Sequence, residues 1–542
     1  MDIELARLID EDTPKLNPLI ANGLAVEQMK GVEKYIDDIF WSIAKEFPEG
    51  LEYKGGRRCT PLEEYRETVR KRSTRSTYDV ARSDFYMMRY DFTFKGEKLR
   101  PKYIYLPFVT ENCTIHISNG RYLVSPVLAD RVISIGVNNI FIRLLRDRMT
   151  FERVSHHIEI NGKGETVQVP WVMAYHKTEQ QKKLKRTVNM NCALVHYLLC
   201  KYGFVETFKR FGHTNPVIGP AQEITRERYP REDWVICSSI YTNTTMKPKG
   251  AAKGFYAPTM IRMAIRREEF TPMVRSLVGG FFYIVDHFPD QIEPEFIGTE
   301  HEKRLWLILL GSIIMSGTVN HGKLANDMEL HIASLDDYID NIMIDKFKEI
   351  DMPVMDIYQL FALLIENFNQ WLLNGADRVN SMYDKELNVV GFLLESLTFL
   401  IIKLNFRLKA AAKKELKLRD VENAFQALKT GALFSLVKTC GCLSTTSSPG
   451  DNKAFKLTAI LIPQSSSHKG AGGKDRGVIN DPSKRLHVSV AEIGGYSNLP
   501  KSEPSGRARL NPCVWLTDKY VVMRNEYLRP LLDKVQQMIK RH

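Results

Sequence analysis

The sequence predicts a multidomain α+β protein, and three observations carry that expectation. Aromatic and β-forming segments fill residues 83–175, an almost wholly helical stretch occupies 330–440, and 542 residues exceed one ordinary core, which points to roughly two to four domains. Hydrophobic residues at 44% and charged residues at 26% give a globular composition and exclude a mostly disordered chain.

Taken in order, VEKYIDDIFWSIAKEF (32–47) has helical periodicity, with Tyr35, Ile36, Ile39, Phe40 and Ile43 on one apolar face. KGGRRCTPLEEYRETVRKRSTRS (54–76) is basic. SDFYMMRYDFTFKGEKLRPKYIYLPF (83–108) reads as strands separated by a turn at Lys95-Gly96. TIHISNGRYLVSP (114–126) reads as strands with a hairpin turn at Asn119-Gly120. FERVSHHIEINGKGETVQVPWVMAY (151–175) reads as a hairpin around Asn161-Gly162-Lys163-Gly164. Strand alternation sends His156 and His157 to opposite faces, against a shared metal site. CALVHYLLCKYGFVETFKRFG (192–212) is a helix, a break at Gly203 and a second helix, and 330–440 is a succession of helices with short connections. Within it, RLKAAAKKELKLRD (407–420) is a basic helix or helical linker.

From 443 onward turn residues dominate, up to a short closing helix NEYLRPLLDKVQQMIKRH. SSSHKGAGGKDRG (465–477) superficially resembles a phosphate-binding loop. It fails the Walker A test: five residues before Gly473 stands His468, and Asp475 occupies the place of the required hydroxyl. The surrounding segment has eight cations (Lys469, Lys474, Arg476, Lys484, Arg485, Lys501, Arg507, Arg509) against Asp475, Asp481, Glu492 and Glu503. A loop this long within a folded chain is functional or disordered, and this composition favours function.

With 76 Lys plus Arg against 64 Asp plus Glu, the chain is formally +12, which suits a polyanion or an acidic protein partner. The eight cysteines (59, 113, 192, 200, 237, 440, 442, 513) include no CxxC pair, so buried thiols in a reducing compartment are expected. The longest apolar runs, 305–315 and 389–402, fall short of the roughly 20 residues of a membrane span, so a soluble chain is expected. No internal repeat is found.

The order of features in the last third resembles the fork region of the β subunit of multisubunit RNA polymerases. ALKTGALFSLVKTCGCLSTTSSP (427–449), LTAILIP (457–463), the basic Gly-rich loop, SKRLHVS (483–489) and PKSEPSG (500–506) follow the family's sequence of elements. Arg485, Leu486, His487 and Ser489 match its R-x-L-H-x-S/T, and Pro500, Pro504 and Gly506 keep the spacing of its C-P-x-E-T-P-E-G. The departures are a longer linker between His487 and Pro500, Glu503 one place late, Ser505 for the second Glu, and no Cys before Pro500. Upstream, LPFVTENCTIHISNGRYLVSP (106–126) is similar to another β motif through Leu106, Pro107, Thr110, Asn119, Gly120, Val124 and Ser125, without that motif's Glu-Arg after the Gly. ALVHYLLCKYGF (193–204) is faintly similar to a lobe helix.

A full β subunit continues far past this motif, whereas the given sequence ends soon after Gly506. In giant bacteriophages similar to phiKZ the β subunit is split, and this chain resembles the N-terminal half. The resemblance implies a protrusion (1–150 and 331–440), a lobe (151–330), a fork region (441–515) and a C-terminal helix (516–542). It implies a subunit of DNA-directed RNA polymerase, a nucleotidyltransferase, with Mg2+ held by an Asp triad on a β′-like partner. No DxDxD occurs here, so neither catalytic residues nor a metal site are assigned to this chain.

Nucleic-acid contacts are then expected at Lys469, Lys474, Arg476, Lys484, Arg485, His487, Lys501, Arg507 and Arg509, cations gripping phosphates without reading sequence. Implied partners are a C-terminal β-like chain, β′-like chains, DNA template and RNA transcript, with no membrane and no homo-oligomer. The implied location is the cytoplasm of the infected bacterium or the virion. Three other readings stay open at this stage: a capsid or portal type structural protein, a self-contained nucleic-acid-binding protein, and a basic loop that is only a surface loop.

Overall fold

The computed structural model describes residues 17–69, 85–117, 120–136, 138–145, 148–175, 189–239, 261–288, 291–315, 320–375, 381–383, 385–412, 416–428, 442–445, 459–461, 489, 507–511 and 514–526, with a few isolated positions beyond. The chain divides into two compact units. One comprises residues 1–131 and 380–542, and the other, inserted within it, runs from Val132 to Val379.

The first unit opens with α1 (Pro18–Asn22), α2 (Leu24–Met29) and α3 (Val32–Ala44). Asn17 caps α1 by accepting from Leu19 N at 2.9 Å, and Pro18 supplies the preset φ of a first helical residue. The apolar face of α3 buries Ile36, Ile39, Phe40 and Ile43, with Tyr35 half-buried. It packs on a sheet of β1 (Leu51–Arg58), β2 (Phe85–Phe94), β3 (Glu97–Lys98) and β4 (Lys102–Pro107), in which β2 pairs with the other three; α4 (Pro61–Val69) follows β1. Phe40 meets Tyr90 and Tyr53 at centroid distances of 4.7 and 5.3 Å. The expected turn forms at Lys95 (φ 48) and Gly96 (φ 83), a left-handed pair that joins strands of the right twist. Next come β5 (Thr114–Ile117), β6 (Gly120–Val124) and β7 (Val127–Ala129). Ile117 pairs with Gly120, so Gly120 is a strand residue of the expected hairpin, while Ser118 and Asn119 lie outside the described residues.

The inserted unit is built on an eight-stranded sheet: β8 (Ile133–Ile135), β9 (Ile140–Arg143), β10 (Arg148–Ile160), β11 (Lys163–Tyr175), β12 (Asn189–Ala193), β13 (Val217–Pro220), β14 (Trp234–Ser239) and β15 (Ile261–Arg266). The order is β12-β11-β10-β14-β15-β13, with β9 joining β8 to β10. Asn161 (φ 53) and Gly162 (φ 80) make the β10–β11 turn, as the sequence predicts. His156 is buried and His157 exposed, the opposite-face arrangement expected of a strand; His156 Nε2 lies 3.0 Å from the buried Asp286 carboxylate.

Helices cover this sheet: α5 (Leu194–Tyr202), α6 (Phe204–Gly212), α7 (Pro272–His287), α8 (Glu302–Ile314), α9 (His321–Leu335), α10 (Asn341–Lys348) and α11 (Ile357–Gly375). Gly203, at φ 80, breaks α5 from α6 as expected. A Cβ on Gly279 or Gly280 would overlap Val167 or Val195, so these two glycines let α7 approach β11 and α5 closely. The limits of this unit differ from 151–330 because β8 and β9 extend the sheet through β10, while α11 packs against β8, β11, α5 and α7.

The chain then returns to the first unit with β16 (Glu386–Asn388), α12 (Val390–Leu393), α13 (Glu395–Ala412), α14 (Leu418–Phe425), β17 (Leu443–Thr445), β18 (Ala459–Leu461), β19 (Arg507–Arg509), β20 (Trp515–Leu516) and β21 (Val522–Met523). Residues 515–523 thus form an antiparallel pair where the start of a terminal helix was expected, and β16 interrupts the helical run. Segment 407–420 is shared between α13 and α14, with 413–415 outside the described residues. The described cysteines 59, 113, 192, 200, 237 and 442 are buried thiols; Cys440 and Cys513 lie outside the described residues. Among the described residues no helix is long and apolar enough to cross a membrane.

Two buried polar side chains tie the helices of the inserted unit together. Glu302 is 3% exposed and accepts from Phe204 N at the start of α6, from Trp306 Nε1 (2.7 Å) and from Gly298 N (2.7 Å). Its carboxylate therefore serves three donors, of which Phe204 N and Trp306 Nε1 would otherwise be buried unpaired. His196, fully buried, places Nε2 3.0 Å from the Trp306 carbonyl, and burial pushes its pKa down to about 4.

Between pH 6.5 and about 4 the unfolded chain takes up a proton at this histidine that the folded chain does not, so stability is full above that window and declines as pH falls through it, by about 3 kcal/mol. Urea unfolding across this range is expected to show that decline, and His196→Gln, which keeps a donor toward the carbonyl, is expected to flatten it.

Candidate nucleic-acid interface

The base of the basic C-terminal segment is a strand pair. β18 runs antiparallel to β19 with Ala459 opposite Arg509, Ile460 opposite Ala508 and Leu461 opposite Arg507. The chain therefore leaves after Leu461 and returns at Arg507 at one place. β18 also pairs in parallel with β7 through Leu461 and Val127, and β7 pairs with β16, giving a four-stranded sheet of order β16-β7-β18-β19. The sequence explains its extent: LTAILIP is rich in β-forming residues, and Pro463 has no N–H with which to continue a ladder. Ile460, 1% exposed, anchors β18 in a core with Ile20, Leu24, Leu128, Leu387, Leu510 and Val522.

Polar contacts lock this core. Gln28, on α2, donates through Nε2 to the Leu387 carbonyl and accepts at Oε1 from Val389 N at 2.7 Å. Asn17 Nδ2 donates to the Leu516 carbonyl at 3.1 Å. Leu387 N donates to the Tyr520 carbonyl at 3.0 Å and Val522 N to that of Lys385 at 2.8 Å, so the β20–β21 segment is bound to β16. Ser489, at the end of the RLHVS motif, is buried, and its Oγ accepts from Met382 N at 2.9 Å. That contact ties the motif to the chain just before β16.

The two regions that resemble β motifs meet in a second sheet. β17 pairs with β6, placing Leu443 opposite Val124, Ser444 opposite Leu123 and Thr445 opposite Tyr122, and Ser125 N donates to the Cys442 carbonyl at 2.9 Å. Thr110 orders the approach to β5: its N donates to the Thr114 carbonyl, the two hydroxyls are 2.7 Å apart, and Cys113 N donates back to the Thr110 carbonyl. Cys113, at φ 54, fills a left-handed position natural to glycine. On the exposed side of this sheet His116 stands opposite Arg121, whose Nε lies 3.5 Å from Thr114 Oγ1. Arg121 is an exposed cation of this sheet that motif reading passed over; its strand position opposite His116 was the available signal.

Of the expected contact residues, Lys469, Lys474, Arg476, Lys484, Arg485, His487 and Lys501 lie outside the described residues. Arg507 and Arg509 lie on β19, in register with Leu461 and Ala459. Among the described residues no group of three or more His, Cys, Asp or Glu could hold a metal ion.

The fold is thus a mixed α+β protein in which distant segments converge to close a basic, Gly-rich stretch, as befits a component of a nucleic-acid machine. Across residues 5–522 the chain matches the family model described as non-virion RNA polymerase subunit, and it belongs to that family. It is a bacteriophage RNA polymerase subunit of the non-virion kind, which sets aside the capsid, portal and virion-packaged readings. No curated protein matches the chain.

Gln28 supplies the test of the site's foundation. Gln28→Ala leaves the Leu387 carbonyl and the Val389 N–H buried without their partners, and is expected to cost about 2–4 kcal/mol in chemical denaturation. Hydrogen exchange at Val389 is expected to speed up in the same variant.

Proposed function

We propose that this chain is the N-terminal portion of a divided β-like subunit of a DNA-directed RNA polymerase, and that its 462–506 segment grips nucleic acid in the manner of a fork loop. The observation that supports this reading most is the pairing of β17 with β6: the two segments resembling β motifs, which lie more than 300 residues apart in sequence, are hydrogen-bonded neighbours. The closure of the basic segment at β18–β19 supports it further, because cations carried on a stretch with a braced base can be presented together to one nucleic-acid partner.

In this reading the partners are a C-terminal β-like chain, β′-like chains, DNA template and RNA transcript, within the cytoplasm of the infected bacterium. Nucleotide addition belongs to a β′-like partner that would hold Mg2+. This chain's contribution is positional. Lys469, Lys474 and Arg476 neutralise phosphates, with Lys484, Arg485, His487, Lys501, Arg507 and Arg509 beside them in sequence, and the glycines of 470–477 permit close backbone approach. Phosphate contacts of this kind hold strands without selecting sequence.

Replacing Lys469 and Lys474 by Ala in the assembled polymerase is expected to lower affinity for DNA of any sequence and to flatten the salt dependence by roughly one or two counterions. Purification through a tag on this chain, followed by primer extension on an RNA:DNA scaffold, checks the assembly itself: a β′-like partner and RNA extension are expected. An unchanged salt slope in the double variant would remove the fork-loop role, and absence of polymerase partners would remove the divided-β assignment.

A further inference from the structure

The inserted unit carries a second concentration of positive charge that no motif announces. Arg226 and Arg231 lie in the segment between β13 and β14, Arg262 on β15, and Arg267 immediately after it. The side-chain hydrogen bonds of Arg226, Arg262 and Arg267 end on neutral oxygens. Arg226 Nη2 donates to Asn161 Oδ1 at 2.7 Å. Asn161 is itself held by Ile236, whose N donates to the same Oδ1 at 3.0 Å and whose carbonyl accepts from Asn161 N at 2.8 Å. Arg262 Nη1 donates to the carbonyls of Ile224 (3.2 Å) and Ala221 (3.4 Å). Arg267 donates through Nε to the Glu232 carbonyl at 2.9 Å and through Nη2 to that of Arg231.

Carboxylates are at hand in the sequence: Glu227, Glu232, Asp233 and Glu268 occupy the same segments. Among the described residues, none of them comes within the 4.0 Å of an ion pair with any of the four arginines. Burial first, and then the charges of Arg231, Arg262 and Arg267, hold the Arg226 guanidinium below its ordinary range. The fold therefore maintains like charges together without neutralising them, a repulsion that a bound anion would relieve. Beside them Arg266 lies 5.7 Å from the Trp234 ring centroid, and Trp234 stands edge-on to Tyr229 at 5.1 Å, packed on the small core of Ile224, Ile236 and Ala264. This keeps the β13–β14 segment in place.

We propose that Arg226, Arg231, Arg262 and Arg267 form a binding site for phosphate groups of a nucleic-acid strand, separate from the 462–506 segment. Guanidinium forks match phosphate oxygens in pairs, and Arg262 and Arg267 hold the backbone that presents Arg226 and Arg231. A nucleic-acid strand is favoured over an acidic protein segment because the chain is an RNA polymerase subunit. The proposal needs only that family membership and stands apart from the divided-β reading.

The test uses the assembled polymerase, purified through a tag on this chain, and fluorescein-labelled single-stranded DNA, with polarisation measured over a salt series. Arg226→Gln/Arg231→Gln is expected to weaken binding about tenfold and to reduce the slope of log affinity against log salt by roughly 1.4, two contacts at about 0.7 each, with unchanged thermal unfolding and subunit content. Arg226→Lys/Arg231→Lys, which keeps the charges, is expected to retain the slope even where the Gln pair unfolds. An unchanged slope in a folded Gln pair overturns the proposal. So does loss of a partner subunit without a slope change, the outcome an acidic protein segment would give. Lys469→Ala/Lys474→Ala measured alongside separates this outcome from failure of the fork-loop reading, since each pair alters the slope independently.

Discussion

The ladder between β18 and β19 is the constraint on which the C-terminal part of the first unit depends. Three residue pairs bring Leu461 and Arg507 side by side, so the basic stretch between them starts and ends at one point. Such a short ladder is weak by itself, because an isolated strand pair is marginal in water. It persists because Ile460 is sunk in the core made by Leu128, Leu387, Leu510 and Val522, and because β7 and β16 complete the sheet. The Gln28 side chain, satisfied on both its carbonyl and amide ends, links the N-terminal helices to that same sheet. Sequence segments from both parts of the first unit, 1–131 and 380–542, therefore share one core and one sheet.

What could be read in the sequence was local. Lys95-Gly96 and Asn161-Gly162 announce turns because their left-handed backbone tolerates few other residues, and Gly203 announces a helix break for the same reason. The opposite fates of His156 and His157 follow from strand alternation. Long-range pairing was not legible: nothing local says that Leu443 faces Val124 or that β8 and β9 join the inserted sheet, because register is set by which side chains share a core. The strand pair at 515–523 in place of a helix has the same cause, since Leu516 and Val522 are buried with Ile460.

The site divides in the same way. Its charge is plain in the sequence of 469–509, whereas its supports are single polar residues, Gln28 and Ser489, whose burial no pattern reveals. The arginine cluster of the inserted unit is equally silent, since Arg226 and Arg231 reach Arg262 and Arg267 only when β14 and β15 pair.

The most direct measurement places a photoreactive amino acid at position 474 in the assembled polymerase, engaged on an RNA:DNA scaffold, and maps what it cross-links upon irradiation. A fork-like role for the segment braced by β18 and β19 predicts cross-links to the nucleic acid, confined to a few nucleotides next to the site of RNA extension. Cross-links to protein alone from an active, scaffold-bound enzyme would contradict it.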